Sequence, residues 1–218
     1  MLTSTYTAKG TAMHVLLMNG SPHANGCTYT ALSEVAGELE REGVTTTLFH
    51  IGSKPVQPCT GCFKCLATGY CVHKTDPVNE CVDLLQAADG LVVGSPVYFA
   101  GPNGAITSFL DRMFIGKSGK YAYKPAAAVV SCRRGGASAA FDRLNKYFTL
   151  SGMPVVSSTY WNSVHGNTPD EVRQDLEGMQ VMRTLGRNMA WLLKCIDAAK
   201  DTVPYPESEA KVMTNFIR

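Results

Sequence analysis

Five times along this chain a short apolar run of strand length is followed by a stretch of helical periodicity. That alternation limits the fold more than any other feature, because it leaves a parallel sheet with helices on both faces. HVLLMN (14–19) is a continuous apolar run stopped by Gly20, the pattern of a strand buried on both sides. TYTALSEVAGELEREG follows, with Leu32, Val35, Ala36 and Leu39 on one face and Gly43 as a stop. VTTTLFHI (44–51) reads as a second strand. Asp76-Pro77 opens a helix, with Asp76 as its expected N-cap and Val78, Val82 and Leu85 as its stripe. GLVVGSPVYF (90–99) and AAAVVSC (126–132) are the third and fourth strands, and MPVVSSTYW (153–161) is expected as the fifth. Helices are expected over 103–114, over 140–152, and as one long run from about Thr168 to Ala199. Sheets of this kind bind ligands at the carboxyl ends of their strands, near the switch in strand order.

Composition narrows the class. A chain of 218 residues can bury a core without staples, and 45% hydrophobic with 17% charged residues suits a globular domain. A net charge of +2 gives no electrostatic reason to expect nucleic acid or an anionic membrane as a partner. No run of eighteen apolar residues predicts a membrane span. Residues 1–12 read as a mobile leader, 13–200 as the domain with a cysteine-rich loop at 52–75, and 201–218 as an arm suited to reach a neighbour. The polar start lacks a secretory signal, so eight cysteines are expected as reduced thiols in a cytoplasmic protein. Cys81 and Cys195, outside the motifs below, are expected in or near core elements, as are Cys27 and Cys132.

Four loops at the expected sheet edge carry chemistry. GSPHANGCT (20–28) places small and hydroxyl residues at a helix mouth, where free amides and the dipole favour an anion. It is neither a P-loop nor GxGxxG, so a single terminal phosphate fits better than a pyrophosphate, with Ser21 and Thr28 as donors. GSPVYFAGPNG (94–104) sets Tyr98 and Phe99 where a flat aromatic ligand could lie, with Asn103 able to hydrogen-bond. SCRRGG (131–136) adds Arg133 and Arg134, and YWNSVHGN (160–167) adds Trp161 and His165. Each alone has a plainer reading: a capped turn, core aromatics, surface arginines, a structural histidine.

Together these loops resemble the NADPH-dependent FMN reductase family of the flavodoxin-like superfamily. GSPHANGCT is similar to that family's flavin-phosphate loop, SPVYF to its isoalloxazine loop, and LDRMF (110–114) follows where expected. His23 stands where Arg is usual and Cys27 where Asn is usual. The resemblance implies a flavodoxin-like three-layer α/β sandwich with a five-stranded parallel sheet in the order 2-1-3-4-5. It further implies FMN bound by Ser21, His23, Asn25, Cys27 and Thr28, by Ser95, Pro96, Val97, Tyr98, Phe99 and Asn103, and by Cys132, Arg133, Arg134, Gly135 and Gly136. NAD(P)H would deliver hydride, and electrons would pass to a quinone, a flavin or another small acceptor. Hydride transfer requires no protein acid or base, so His165 is only a catalytic candidate. A homodimer or homotetramer is expected.

CTGCFKCLATGYC (59–71) carries Cys59, Cys62, Cys65 and Cys71 in the spacing C-x2-C-x2-C-x5-C. Compact runs of this type ligate iron–sulfur clusters, whereas structural zinc sites generally use two separated knuckles. A catalytic disulfide would need only two of the four. The spacing is similar to that of the iron–sulfur flavoproteins, a branch of the same family, and implies a [4Fe-4S] cluster exchanging single electrons with FMN. A plain structural turn is the alternative. Two rival functions remain: an electron carrier exchanging electrons with a ferredoxin, and a flavin-free binding module on the same fold.

Overall fold

A computed structural model describes residues 12–207, 209–210 and 212–214. The leader reading falls, except for Ala12, outside them. Strand β1 (His14–Asn19) leads through α1 (Cys27–Arg41) to β2 (Thr45–His50). Then come α2 (Cys65–Thr68), α3 (Val78–Ala87), β3 (Gly90–Tyr98), a short β4 (Gly101–Pro102) and α4 (Gly104–Ile115). β5 (Ala126–Cys132), α5 (Ala137–Leu150), β6 (Ser163–His165), α6 (Pro169–Gln174) and α7 (Leu176–Ala199) complete the order.

The main sheet is parallel and runs β2-β1-β3-β5-β6. Leaving aside β4, a two-residue antiparallel return on β3, this is the expected 2-1-3-4-5 succession. Alternation along each strand sends side chains to opposite faces. Val15, Leu17, Val92, Ala127 and Val129 face α1 and α7, where they meet Leu32, Val35, Leu39, Met182 and Leu185. Leu16, Met18, Leu91, Val93 and Ala128 face α3, α4 and α5, where Leu85, Phe109, Leu110, Met113 and Phe148 close the second core.

Four expectations need correction. The fifth strand is not continuous over 153–161. Residues 154–156 hydrogen-bond to Ala126 at the start of β5, and Asn162 rejoins its middle through Val130 N–H to Asn162 O at 2.9 Å. The residues between bulge outward, leaving Tyr160 and Trp161 exposed, and the ladder resumes at Ser163. Pro154 cannot donate to a ladder, which favours such an interruption on an edge strand. The long C-terminal helix is broken at Asp175, whose carboxylate accepts from Gly178 N–H at 2.9 Å and starts α7 afresh. Asp76 is not chiefly a cap, since its carboxylate pairs with Arg112 and only grazes Val78 N–H at 3.5 Å. Cys195 is also exposed, unlike Cys81 and Cys132, which are buried.

Helices α1 and α7 pack closely because Gly186 lets α7 reach the Val35 carbonyl oxygen and the Glu38 Cβ on α1. Glu38 is buried, and Arg187 Nε donates to it at 2.7 Å while Arg41 donates from the next turn of α1. Burial works to raise its pKa, but the hydrogen bonds from Arg187 and Arg41 outweigh it and hold the carboxyl below its ordinary 4.5. A depressed folded-state pKa contributes stability that is complete above the unfolded value and is lost as pH falls through the folded one. Glu38→Gln should therefore lower stability at neutral pH and flatten the loss on acidification. Urea unfolding from neutral to acid pH checks this, and parallel stability profiles for both proteins would count against it.

Candidate functional site

The carboxyl edge of the sheet is built on a backbone approach. Gly20 N–H donates to Gly94 O at 2.8 Å, and a Cβ at Gly20 would lie 2.7 Å from that same oxygen. Asn103 ties a third segment to this point: its Nδ2 donates to Gly20 O, while its Oδ1 accepts from Ile106 N–H at 2.9 Å and caps α4. Ser95 Oγ accepts from Asn103 N–H at 3.1 Å, so the loops after β1 and β3 are one hydrogen-bonded unit.

Within the first loop, Asn19 is fully buried at the end of β1. Its Oδ1 accepts from Ser21 N–H at 3.0 Å and its Nδ2 donates to Ala24 O at 3.1 Å. Ser21 Oγ accepts from His23 N–H at 3.1 Å, and a His50 ring nitrogen lies 2.8 Å from Ser21 O. These contacts curl the loop over the first turn of α1. That turn has no acidic residue and no side-chain cap, and His23, Ala24 and Asn25 beside it are exposed. Free amides at an uncapped helix start form an anion site. Thr28 is 1% exposed and its hydroxyl lies 2.8 Å from that of Ser131, so it also joins α1 to β5. Cys27 lies at the same mouth with its Sγ 3.7 Å from Gly166 O, and burial raises its thiol pKa.

After β3 the chain makes a hairpin with Phe99 and Ala100 both at positive φ, 49° and 59°. That pair of conformations is what a two-residue loop matching the strand twist demands. It leaves Phe99 fully exposed and Tyr98 half-exposed, beyond the partly covered Pro96 and Val97. Gly136, at φ +86°, lies under this hairpin, where a Cβ would be 2.7 Å from Ala100 Cα. Arg133, Arg134 and Gly135 are exposed beside it, and burial raises the Cys132 thiol pKa. His165 pairs in register with Cys132, and its ring Nδ1 lies 3.5 Å from Asp175 Oδ2. The structure thus brings the loop candidates to one sheet edge, with Ser21, Thr28, Ser95, Asn103 and Cys132 inside the scaffold, Cys27, Pro96, Val97 and Gly136 partly covered, and His23, Asn25, Tyr98, Phe99, Arg133, Arg134 and Gly135 exposed.

The four cysteines lie elsewhere, over the flank of α4. Cys59, Cys62, Cys65 and Cys71 all line one small cavity with Phe63, Arg112 and Ile115. Cys65 is the buried member, and burial raises its thiol pKa, with Cys71, Cys59 and Cys62 adding in the same direction. Cys62 is exposed, and the Lys64 backbone N–H lowers its pKa. Gly61 at φ +65° and Gly69 at φ +76° allow the turns, and Cys65 packs so close to Gly116 that a Cβ there would be 3.0 Å from Cys65 O. Among the described residues no three His, Cys, Asp or Glu side chains converge on a single ion. Four thiols line one cavity with a cationic wall, the donor type that iron–sulfur clusters use. The donor chemistry therefore fits an iron–sulfur cluster.

Sequence reasoning missed Asn19, His50 and the Arg112–Asp76 pair. Two had a signal: Asn19 is the lone polar residue ending an apolar strand, and Arg112 is a charge set among the apolar positions of α4. Asn19→Ala should loosen the loop over α1 and weaken FMN binding about tenfold, the equivalent of roughly 1.4 kcal/mol. Fluorescence titration checks this, and unchanged affinity would show that Asn19 does not organise the site.

Known proteins share this fold. An iron–sulfur flavoprotein of Methanocaldococcus jannaschii is 30% identical over 192 residues, covering 84% of this chain and 99% of that protein. Among solved structures, an NAD(P)H:quinone oxidoreductase from Methanothermobacter marburgensis superposes with a TM-score of 0.62 at 16% identity, over 82% of this chain and all of that one. A flavodoxin, a WrbA-like protein from Agrobacterium tumefaciens, gives 0.60 at 17% identity, over 85% of this chain and 99% of that one. The two structural likenesses establish the flavodoxin-like fold. Residues 13–168 match the family model described as NADPH-dependent FMN reductase, and the chain belongs to that family of flavin-dependent oxidoreductases.

Proposed function

We propose that this protein is an FMN oxidoreductase that also carries a [4Fe-4S] cluster, taking hydride from NAD(P)H and releasing electrons singly. The observation that carries the reading is the convergence of four cysteines on one cavity beside a buried arginine, in a flavodoxin-like chain. When bound, FMN supplies a two-electron hydride acceptor and the cluster a one-electron relay.

The residues divide the work. The uncapped start of α1, with the loop held by Asn19, takes the FMN phosphate through backbone amides. Cys27, Thr28, His23, Asn25 and Ser21 frame that mouth. Segment Ser95–Phe99 with Asn103 would hold the flavin ring, and the exposed hairpin at 98–100 would leave room for a nicotinamide beside it. Arg133 and Arg134, beside Cys132, Gly135 and Gly136, meet the flavin pyrimidine or a nucleotide phosphate as charge-assisted donors. His165 is exposed and held near Asp175, and no proton transfer is assigned to it. Self-association as a homodimer or homotetramer would cover the exposed Phe99 and Trp161.

A second reading, the electron carrier that meets a ferredoxin, draws on Phe63 and Leu66. Both are exposed apolar residues within the cysteine segment, where a small redox protein could dock.

Anaerobically purified protein is expected to hold about four irons and four sulfides per chain, and Cys62→Ser to lose iron while keeping FMN. Iron-free wild type, made with full cluster assembly, would reduce the segment to a structural turn. Stopped-flow mixing with NADPH or NADH is expected to bleach the flavin band. Bleaching by dithionite but by neither nicotinamide would leave the ferredoxin-linked carrier in its place.

A further inference from the structure

Arg112 is 2% exposed on the inner side of α4, yet all three of its guanidinium nitrogens find acceptors. Nη1 donates to Gln57 O at 3.0 Å and pairs with Asp76, and Nη2 donates to His73 O at 2.9 Å. Nε donates to Cys71 Sγ at 3.1 Å. Gln57 lies two residues before the first cysteine and His73 two residues after the last, so one side chain ties both ends of the segment to a core helix. Cys71 is gripped from its other side by Asn79, which accepts from its N–H at 2.8 Å and donates to its carbonyl at 2.9 Å.

Burying a guanidinium is costly unless each donor finds an acceptor. Here the acceptors come from the cysteine segment and Asp76, so the arginine is satisfied only when the segment is closed. An arginine side chain stays cationic in a protein, so its bonds to Asp76 and Cys71 are charge-assisted. A lysine could not replace the fork, because an ammonium offers one point charge instead of a planar set of donors in fixed directions.

We propose that Arg112 is the positioning residue of the cysteine segment, closing it from both ends and holding the Cys71 thiolate by a charge-assisted hydrogen bond that raises the reduction potential of the cluster. This rests on the cluster reading above. A cation and an N–H donor beside a ligand sulfur favour the reduced, more negative cluster, and such outer contacts are what tune these potentials. The clasp itself precedes the metal, because the four contacts need none.

Two comparisons with Arg112→Lys test it. In iron-free protein, trypsin should nick the segment after the exposed Lys64 and Lys74 about tenfold faster than in wild type, since local opening is easier. FMN affinity, set at the other end of α4, serves as the check on folding. In cluster-loaded protein, a spectroscopic redox titration should give a more negative midpoint for the variant, a shift that a merely structural tie would not produce. Equal nicking would overturn the clasp, and an equal midpoint would overturn the tuning of Cys71. If Arg112→Lys fails to fold, Asp76→Asn weakens the clasp for the nicking comparison, and its loss of a negative charge beside the guanidinium should move the midpoint the other way, to more positive. Wild type that never holds iron would overturn the cluster reading and the tuning with it, while the nicking result would still decide the clasp.

Discussion

The close backbone approach of Gly20 to Gly94 is the constraint on which the upper edge of this protein depends. No side chain larger than hydrogen fits at Gly20, and the N–H to carbonyl bond joins β1 to β3 at the point where strand order reverses. Asn103 then uses that junction as an anchor, which fixes where α4 begins. The candidate-site loops are referred to this junction: the uncapped start of α1, the hairpin at Phe99, and the glycine turn before α5. Rigid strands hold the loops, and the loops leave their amides and one open face for a ligand.

The cysteine segment obeys a different physics. It has little regular structure of its own, with only the single turn of α2, and many of its residues are exposed. Hydrophobic burial contributes less here than charge and hydrogen bonding. Arg112 supplies the cation, Asp76 balances it, and Cys65 anchors the middle against Gly116. Arg112 lies eight residues along α4 from Gly104, about 12 Å at 1.5 Å per residue. The helix capped by Asn103 at the flavin edge therefore also carries the wall of the cysteine cavity, giving the two candidate redox sites one rigid support.

Local patterns were legible where one element buries one face. The apolar run of β1 and the stripe of α1 hold in the structure, as does the sheet order that the family resemblance implied. Edges failed where tertiary partners overrode propensity. The run 153–161 has strand composition, but Pro154 and the insertion of Asn162 against β5 force a bulge. Thr168 to Ala199 has helical periodicity almost throughout, but Asp175 is drawn aside to cap α7 and to accept from His165 N–H. Asp76 stood at a fitting cap position, yet a buried guanidinium across the loop is a stronger partner than one amide.

By itself the sequence determined the class of fold, the edge at which ligands would meet, and the cysteine spacing. These depend on periodicity and on turn residues, which act over a few positions. Only the tertiary structure decided which polar groups the scaffold itself engages. Thr28 and Ser21 are indistinguishable in kind from Asn25 and His23 when the loop is read as letters, but they turn inward to Ser131 and to the loop's own backbone. It also decided that the four cysteines face one cavity and that Arg112 meets Cys71 from 41 residues away. Such pairings are long-range, and a buried charge takes whatever partner the packed fold brings within hydrogen-bonding distance.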